Sequence, residues 1–356
     1  MRYINPFLYI GLILLTTGCA MATPETPTPM PATSTPPASQ QPEPAPVLTD
    51  VPSTLTSGQW THLFYHDGLE QVILVNGGPE RGKPADDPLE LWSWDGTRWS
   101  LISADENGPV WRNWAAVAYD SDRDVLVLHG GLQNPSIKFD ETWEWDGTGW
   151  TRFSVPGPGL REGALMSYDA ARSQTVLFGG AVDLDIKSDT WTWNGAQWTL
   201  VSESGPAPRF PGGMVFDPTR QEVLLTSGHF AGATAFIDYG DLWAWNGESW
   251  RELTWSGSSP GHRTHTALIF DPQTENILLF GSGIGTFKGD IWSWDRASWT
   301  MIPTSNMPDR SGHGVAYDEV RDVFVFFGGV DRPGGKALSD TWEWDRTAWI
   351  CKENCP

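Results

Sequence analysis

The sequence has few cysteines, few basic residues and no apolar run long enough to cross a membrane. Its 356 residues include three cysteines, Cys19, Cys351 and Cys355, all near the chain ends. A structural zinc site needs four cysteine or histidine ligands, more than the pair Cys351 and Cys355 offers, so we expect no metal and no cofactor. The 23 basic residues face 44 acidic ones, and the formal net charge is −21. A chain this acidic is a poor binder of polyanions, so we expect no nucleic-acid partner.

The first apolar run extends only from Phe7 to Leu15 and ends in small residues before Cys19. This is too short for a transmembrane span and is typical of a secretory signal. The ending resembles a bacterial lipobox, in which Cys19 becomes the acylated mature N-terminus. We therefore expect residues 1–18 to be a lipoprotein signal peptide. The mature protein would then be lipid-anchored in the bacterial cell envelope, on its extracytoplasmic side. Ordinary secretion with a chance cysteine is the alternative.

Residues 22–47 contain nine prolines and no aromatic residue. Such a segment cannot bury enough apolar surface to fold, so we predict a disordered tether over residues 19–52. In the polyproline II limit, its 26 proline-rich residues would reach roughly 80 Å. The tether would hold the remaining domain, residues 53–356, away from the membrane.

What the sequence has in abundance is tryptophan, and 18 of its 22 tryptophans lie in one pattern, Trp-x-Trp-x-x-x-x-Trp. The pattern occurs six times, and successive copies begin 51, 48, 52, 49 and 50 residues apart. A fixed period of this size indicates a stacked or circular array of similar units. The copies begin at Trp92, Trp143, Trp191, Trp243, Trp292 and Trp342.

Each unit contains four short runs that we interpret as strands a to d, bounded by Gly, Asp, Asn and Pro. In the second unit, strand a ends at Tyr119-Asp120, strand b ends at Gly130-Gly131, and strand c holds the first two tryptophans. An Asp-Gly or Asn-Gly hairpin signal joins strands c and d in the first four units. Units five and six carry Asp-Arg there, at 295–296 and 345–346, so we expect their turns to differ.

These features resemble kelch repeats, and the resemblance covers residues 57–350 in all six units. It implies an all-β fold, a six-bladed kelch-type β-propeller with four antiparallel strands per blade and strand a innermost. The sialidase-type Asp-box is excluded because it needs Asp-x-Gly-x-x-Trp, whereas this sequence has Asp-Gly-x-x-Trp. Copper-radical oxidases built on kelch propellers need a crosslinked cysteine within the domain, and this domain has cysteines only at its end. We expect the ring to close by packing of blade six on blade one.

Five arginines stand eight positions before the Asp that ends strand a, and blade one has Gly58 there. We predict that they ring one mouth of the central channel, with five of the six lysines in loops on the same face. Such a basic rim on an acidic protein would suit an anionic ligand. The candidate ligand-binding residues are Arg112, Arg161, Arg209, Arg263 and Arg310.

The alternative is internal pairing, because every unit has an acid two residues before its first tryptophan. Strand c starts on the same face as strand a, so these acids could neutralise the arginines and leave no site. The acids are Glu90, Glu141, Asp189, Asp241, Asp290 and Asp340.

We interpret the protein as a membrane-tethered recognition module that binds a protein or glycan ligand, and expect it to be a monomer. No catalytic set stands apart from the repeat, so the balance is against an enzyme. The alternatives are a small-sugar enzyme at the channel mouth, such as a mutarotase similar to the kelch sialate epimerases, or a purely structural envelope protein. His62, His262, His265 and His313 lie near that mouth but lack the spacing of a metal site. Cys351 and Cys355 could pair in an oxidising compartment, or remain free thiols.

Overall fold

The computed structural model describes residues 55, 61–76, 84–134, 136–183, 185–231, 236–281, 289–304, 309–331 and 335–355. The chain divides into two units, Met1–Gln41 and Pro42–Pro356. The first unit, including Cys19, lies outside the described residues, as do Gly58, Lys83 and Lys288. No described helix is long and apolar enough to cross a membrane.

The second unit is a six-bladed β-propeller, and each blade is a four-stranded antiparallel sheet in the order a-b-c-d. The predicted fold class is therefore confirmed. Strands a are His62–His66, Ala116–Asp120, Leu165–Asp169, Gly213–Asp217, Ala267–Asp271 and Gly314–Asp318. Strands b are Gln71–Asn76, Val125–His129, Gln174–Phe178, Glu222–Thr226, Asn276–Phe280 and Val323–Phe327.

The outer half of each blade is the hairpin that carries the tryptophan pattern. Strands c are Glu90–Trp94, Thr142–Trp145, Thr190–Trp193, Leu242–Trp245, Ile291–Trp294 and Thr341–Trp344. Strands d are Trp99–Ser103, Trp150–Phe153, Trp198–Ser202, Trp250–Leu253, Trp299–Ile302 and Trp349–Glu353. Short pairs occupy three b–c loops, Leu132–Asn134 with Ile137–Lys138, Ala181–Val182 with Asp185–Ile186, and His229–Ala231 with Phe236–Asp238. A 3-10 turn, Asp67–Leu69, joins strands a and b of blade one.

The core lies between blades, because each sheet buries its tryptophan ridge against the sheet of the preceding blade. The second tryptophan of every copy is at most 2% exposed. Trp193 packs with residues of both blade two and blade three, and its indole N–H donates to Glu144 of blade two at 2.6 Å. Trp94 of blade one similarly donates to Glu343 of blade six at 2.9 Å. Strand a of blade six contacts strand a of blade one, so the ring closes by packing, with every blade built from one contiguous segment.

The double glycine after strand b allows a close approach between blades. Gly131 donates its N–H to the carbonyl of Arg161 at 2.7 Å, and the residue before it has a φ of 71°. A Cβ at Gly130 would lie 2.5 Å from that carbonyl oxygen. Glycine is therefore required where the chain leaves blade two and meets blade three.

The c–d turns of blades five and six correct one expectation. Arg296 and Arg346 adopt φ values of 75° and 74°, close to the 87–95° of the glycines in the other blades. Asp295 donates its N–H to Ser298 as Asp95 does to Arg98, so the turn is the same. The left-handed backbone disfavours arginine. Each arginine offsets that cost by pairing with a buried aspartate of the preceding blade, Arg296 with Asp217 at 2.8 Å and Arg346 with Asp271 at 2.7 Å.

Candidate functional site

The five arginines that sequence analysis singled out lie inside the blades. None is more than 4% exposed. Each guanidinium pairs with the strand-c acid of its own blade and donates to the carbonyl 18 residues later in the chain. The nearest ion-pair distances are Arg112–Glu141 3.0 Å, Arg161–Asp189 2.6 Å, Arg209–Asp241 2.6 Å, Arg263–Asp290 2.5 Å and Arg310–Asp340 2.7 Å.

These contacts match the alternative of internal pairing rather than an open basic rim. The arginine charges are neutralised and covered, as the pairing alternative expects. Two of the three described b–c loop lysines are also engaged, Lys138 with Asp183 at 2.6 Å and Lys187 with Asp185. Lys336 alone among the described loop lysines is exposed. Anion binding by the five arginines stays a prediction, and their geometry gives it no support.

A cavity of about 230 Å³ lies where strands a begin. All six blades line it, through residues 61–63, 114–115 with 117, 163–166, 211–214, 265–268 and 312–315. The innermost strands position these residues because they pack side by side around the channel. None of the described lining residues is Asp, Glu, Lys or Arg. The site is therefore uncharged, although the protein as a whole is strongly acidic.

One side of the cavity carries buried polar side chains with unused hydrogen-bonding capacity. Thr61, Thr266 and His313, which we call the polar arc, are 5%, 7% and 5% exposed. Within the described part of the chain, both threonine hydroxyls and both nitrogens of His313 lack a hydrogen-bond partner. These atoms are themselves inaccessible to solvent, and the His313 ring stacks on Phe326 at a centroid distance of 4.0 Å, so they lie in the wall behind the cavity surface. They come from blades one, five and six, which are consecutive in the ring.

The opposite side is formed by small residues and aromatic rings. In blades two, three and four the positions equivalent to the polar arc are Ala115, Ala164 and Gly212. Above this hollow, the Trp114 ring lies 5.6 Å from Phe210 and 6.2 Å from His265, measured between ring centroids. The wall of the cavity therefore contains polar residues on one side and small or aromatic residues on the other.

Three imidazoles line the cavity, and all are neutral at pH 7. Burial lowers the pKa of His62 to about 4, although a hydrogen bond to the Ala115 backbone opposes the shift. Burial and the nearby His229 lower the pKa of His265 to about 3. Burial and the charge of Arg310 lower the pKa of His313 well below its ordinary value. Neutral imidazoles can exchange hydrogen bonds with a ligand but offer it no charge.

The other sequence-predicted residues lie apart from this cavity. His262 is exposed and bonds to the Asp238 backbone at 2.5 Å. In the described ranges no group of histidine, cysteine and acidic residues could hold a metal ion. Cys351 and Cys355 form a disulfide that fastens the C-terminal turn.

Sequence analysis placed His313 near the channel mouth but missed Thr61 and Thr266. The signal was present in the register, because Thr61, Thr266 and His313 all stand three residues after the position of the framework arginine or its Gly58 equivalent. This shared offset can be interpreted only once the start of each strand a is known to lie beside the channel.

No family model and no curated protein matches this chain. Among solved structures, one titled "Structure of YjhT" is similar, with a TM-score of 0.62 at 14% sequence identity. The match covers 85% of this chain and 99% of that chain. At this identity the likeness shows the fold alone.

Proposed function

We propose that the protein is a recognition module that takes a glycan into the cavity at its channel mouth. The observation that carries the proposal is an uncharged cavity that all six blades line, with the Trp114 ring among its lining side chains. Small-molecule sites are typically concave, mostly apolar and lined in part by aromatic side chains.

The charge distribution favours an uncharged glycan. With a net charge of −21, the protein repels anionic ligands at a distance. Close to the cavity, the nearest arginines are already paired with carboxylates. An acidic sugar would therefore bring a charge into a site that has no free cation among its described lining residues.

The repeat and the chain ends support the wider assignment. The repeat is of the kelch type, because each blade joins a Tyr-Asp or related strand a, a glycine-rich exit from strand b and the tryptophan-bearing hairpin. The tether and Cys19 would hold the module on the extracytoplasmic face of a bacterial membrane. Cys19→Ser should release the protein into the soluble extracytoplasmic fraction, whereas unchanged membrane association would reject the anchor.

A sugar enzyme such as a mutarotase is the second candidate, because three imidazoles line the cavity. General acid–base catalysis works best when the pKa of the catalytic group is near the operating pH. The pKa values of His62 and His265, about 4 and about 3, make both groups weak bases at pH 7. No carboxylate lines the described cavity to act with them. Binding is therefore the better supported role.

A glycan array followed by calorimetry tests the proposal with the mature protein, residues 19–356. We expect binding to glycans with a neutral terminal sugar and none to matched glycans that end in a uronic or sialic acid. One-dimensional NMR of a freshly dissolved anomer tests the enzyme, since a mutarotase would accelerate its equilibration. Binding to acidic glycans alone, or to a protein from an envelope extract with no glycan binding, would overturn the proposal.

A further inference from the structure

Four aromatic rings lead from the cavity to the surface beside blade four. We call them the aromatic row, and in order they are Trp114, Phe210, His229 and Phe236. Successive ring centroids lie 5.6, 4.7 and 5.1 Å apart, within the range of contacting aromatic pairs. Trp114 lines the cavity, whereas the other three rings lie outside its lining. The row therefore connects the cavity to solvent through rings in contact.

The outer end of the row is built by the b–c hairpin of blade four. Its two short strands are antiparallel, and His229 lies opposite Asp238. Alternate residues of a strand share a face, so His229 and Phe236 are diagonal neighbours, and their rings stack at an interplanar angle of 22°. Phe210 exchanges two backbone hydrogen bonds of 3.0 Å with His229, which fastens the hairpin to the start of strand a. This face is turned toward the channel mouth, because the His229 ring lies 6.1 Å from that of the cavity-lining His265.

The inner and outer ends of the row both have features of a contact surface. At the inner end, Trp114 and the adjacent His265 adopt a left-handed backbone, with φ values of 59° and 55°. Bulky residues rarely take this conformation, and such outliers cluster at binding sites. At the outer end, Phe236 is 65% exposed, whereas every other described phenylalanine, tyrosine and tryptophan is buried or half-buried. The row thus ends in an aromatic face that is open to a ligand.

The aromatic row is uncharged at pH 7, as the cavity is. Burial lowers the pKa of His229, and the opposing effect of the Asp238 charge does not outweigh it. The imidazole is therefore neutral, and the other three rings carry no ionisable group. Uncharged aromatic faces bind the C–H faces of sugars through dispersion and burial of apolar area, without any counter-charge.

The cavity is too small to enclose a glycan of several sugars. At about 230 Å³, it is smaller than the roughly 300–1,000 Å³ typical of pockets for drug-sized ligands. A longer glycan must therefore leave the channel mouth and cross the surface beside it. The aromatic row offers such a glycan a second apolar contact, on Phe236.

Resting on the function proposed above, we infer that the binding site extends along the aromatic row and recognises a linear neutral oligosaccharide. The terminal sugar enters the cavity beside Trp114, and a later sugar of the chain stacks on the open face of Phe236. His229 lies between Phe210 and Phe236 and fixes the position of the outer ring. A monosaccharide then meets one contact region, whereas an oligosaccharide meets two.

Calorimetry on the mature protein with probes of two lengths tests this inference. The short probes are the methyl pyranosides of glucose, galactose, mannose and N-acetylglucosamine, and the long probes are linear trisaccharides of the same sugars. We expect the wild type to bind a trisaccharide about tenfold more tightly than the matching pyranoside. Phe236→Ala should remove that advantage and leave pyranoside affinity unchanged. Phe236→Tyr, which keeps a ring, should retain it.

Ile237→Ala is the matched control. Ile237 is the next residue of the same hairpin and is 46% exposed, but strand alternation places it on the opposite face. This variant should leave the affinity for both probe lengths unchanged. Neither Phe236→Ala nor Ile237→Ala should change the melting temperature, because both side chains are exposed.

Failure of this inference is distinguishable from failure of the proposed function. If the wild type binds pyranosides and trisaccharides equally well, or if Phe236→Ala binds a trisaccharide as the wild type does, the extended site is refuted and recognition survives. Equal losses in Phe236→Ala and Ile237→Ala would assign the effect to the hairpin as a whole and would also refute the role of the row. If the wild type binds no neutral sugar of any length, both proposals fall.

Discussion

Replacing Arg209 with alanine should destabilise the propeller without any loss of ligand affinity. The side chain is fully buried, and its guanidinium makes four hydrogen bonds. Two of them hold Asp241, at 2.6 and 2.8 Å, and the group also lies 4.1 Å over the Tyr239 ring. Its removal would leave Asp241 with the Trp243 indole as its principal remaining partner.

Removing one partner of a buried ion pair typically costs about 3–5 kcal/mol, because the other charge is left uncompensated. We expect a loss of this size in the free energy of unfolding, measured by urea denaturation at pH 7. Burial raises the pKa of Asp241, but hydrogen bonding and charge from Arg209 outweigh it and hold the pKa below its usual value. The double variant Arg209→Ala, Asp241→Ala should recover part of the loss, since it removes the stranded charge.

Arg98→Ala is the control, because Arg98 is 74% exposed and lies 3.6 Å from Asp95. A solvent-exposed pair of this kind contributes roughly 0–1 kcal/mol. The reasoning is refuted if Arg209→Ala changes the unfolding free energy by less than about 1 kcal/mol. It is also refuted if the variant loses affinity for an anionic ligand while keeping its stability.

Three further predictions concern the framework. Acid should destabilise the fold between about pH 6.5 and 4, because buried histidines such as His129, with a pKa of about 4, bind fewer protons in the folded state than in the unfolded state. Each such histidine contributes at most about 1.4 kcal/mol per pH unit. Midpoints of urea denaturation that stay constant over this pH range would contradict the prediction. Trp193→Ala should cost about 3–5 kcal/mol in a chemical melt, since a fully buried indole is removed from a blade interface, and a cost below about 1 kcal/mol would reject interblade stacking. Arg296→Gly should lower the free energy of unfolding by about 2–4 kcal/mol net, because glycine relieves the strained left-handed backbone but leaves the buried Asp217 carboxylate without its partner. An increase in stability would show that the ion pair contributes less than the backbone strain costs.

The strands were predictable because their signals are local. The alternating runs, the Tyr119-Asp120 strand ending and the Gly130-Gly131 exit are readable within one unit and recur with a fixed period. The number of units then determines the number of blades. Ring closure by packing was also predictable, since no strand was left over at either end of the repeat.

Features that depend on contacts between blades were not predictable from one unit. Arg296 forms the same turn as the glycines of the other blades, against expectation, and it pairs with Asp217, a residue 79 positions earlier that belongs to another blade. The five framework arginines carried two interpretations, and the sequence could not decide between them. The choice depended on side-chain direction, which the sequence of one unit does not determine.

The cavity was the hardest feature to predict. Its polar arc combines Thr61 with residues that stand more than 200 positions later, brought together only when blade six meets blade one. The left-handed backbone of Trp114 and His265 was equally hidden, although the glycines at the equivalent positions in blades three and six were a usable signal.

A crystal structure of the protein with a bound neutral methyl pyranoside tests the central claim most directly. We predict one sugar ring in the cavity, in contact with the Trp114 ring. A sugar bound at the outer strands or in a b–c loop, with the cavity holding only water, would contradict the account.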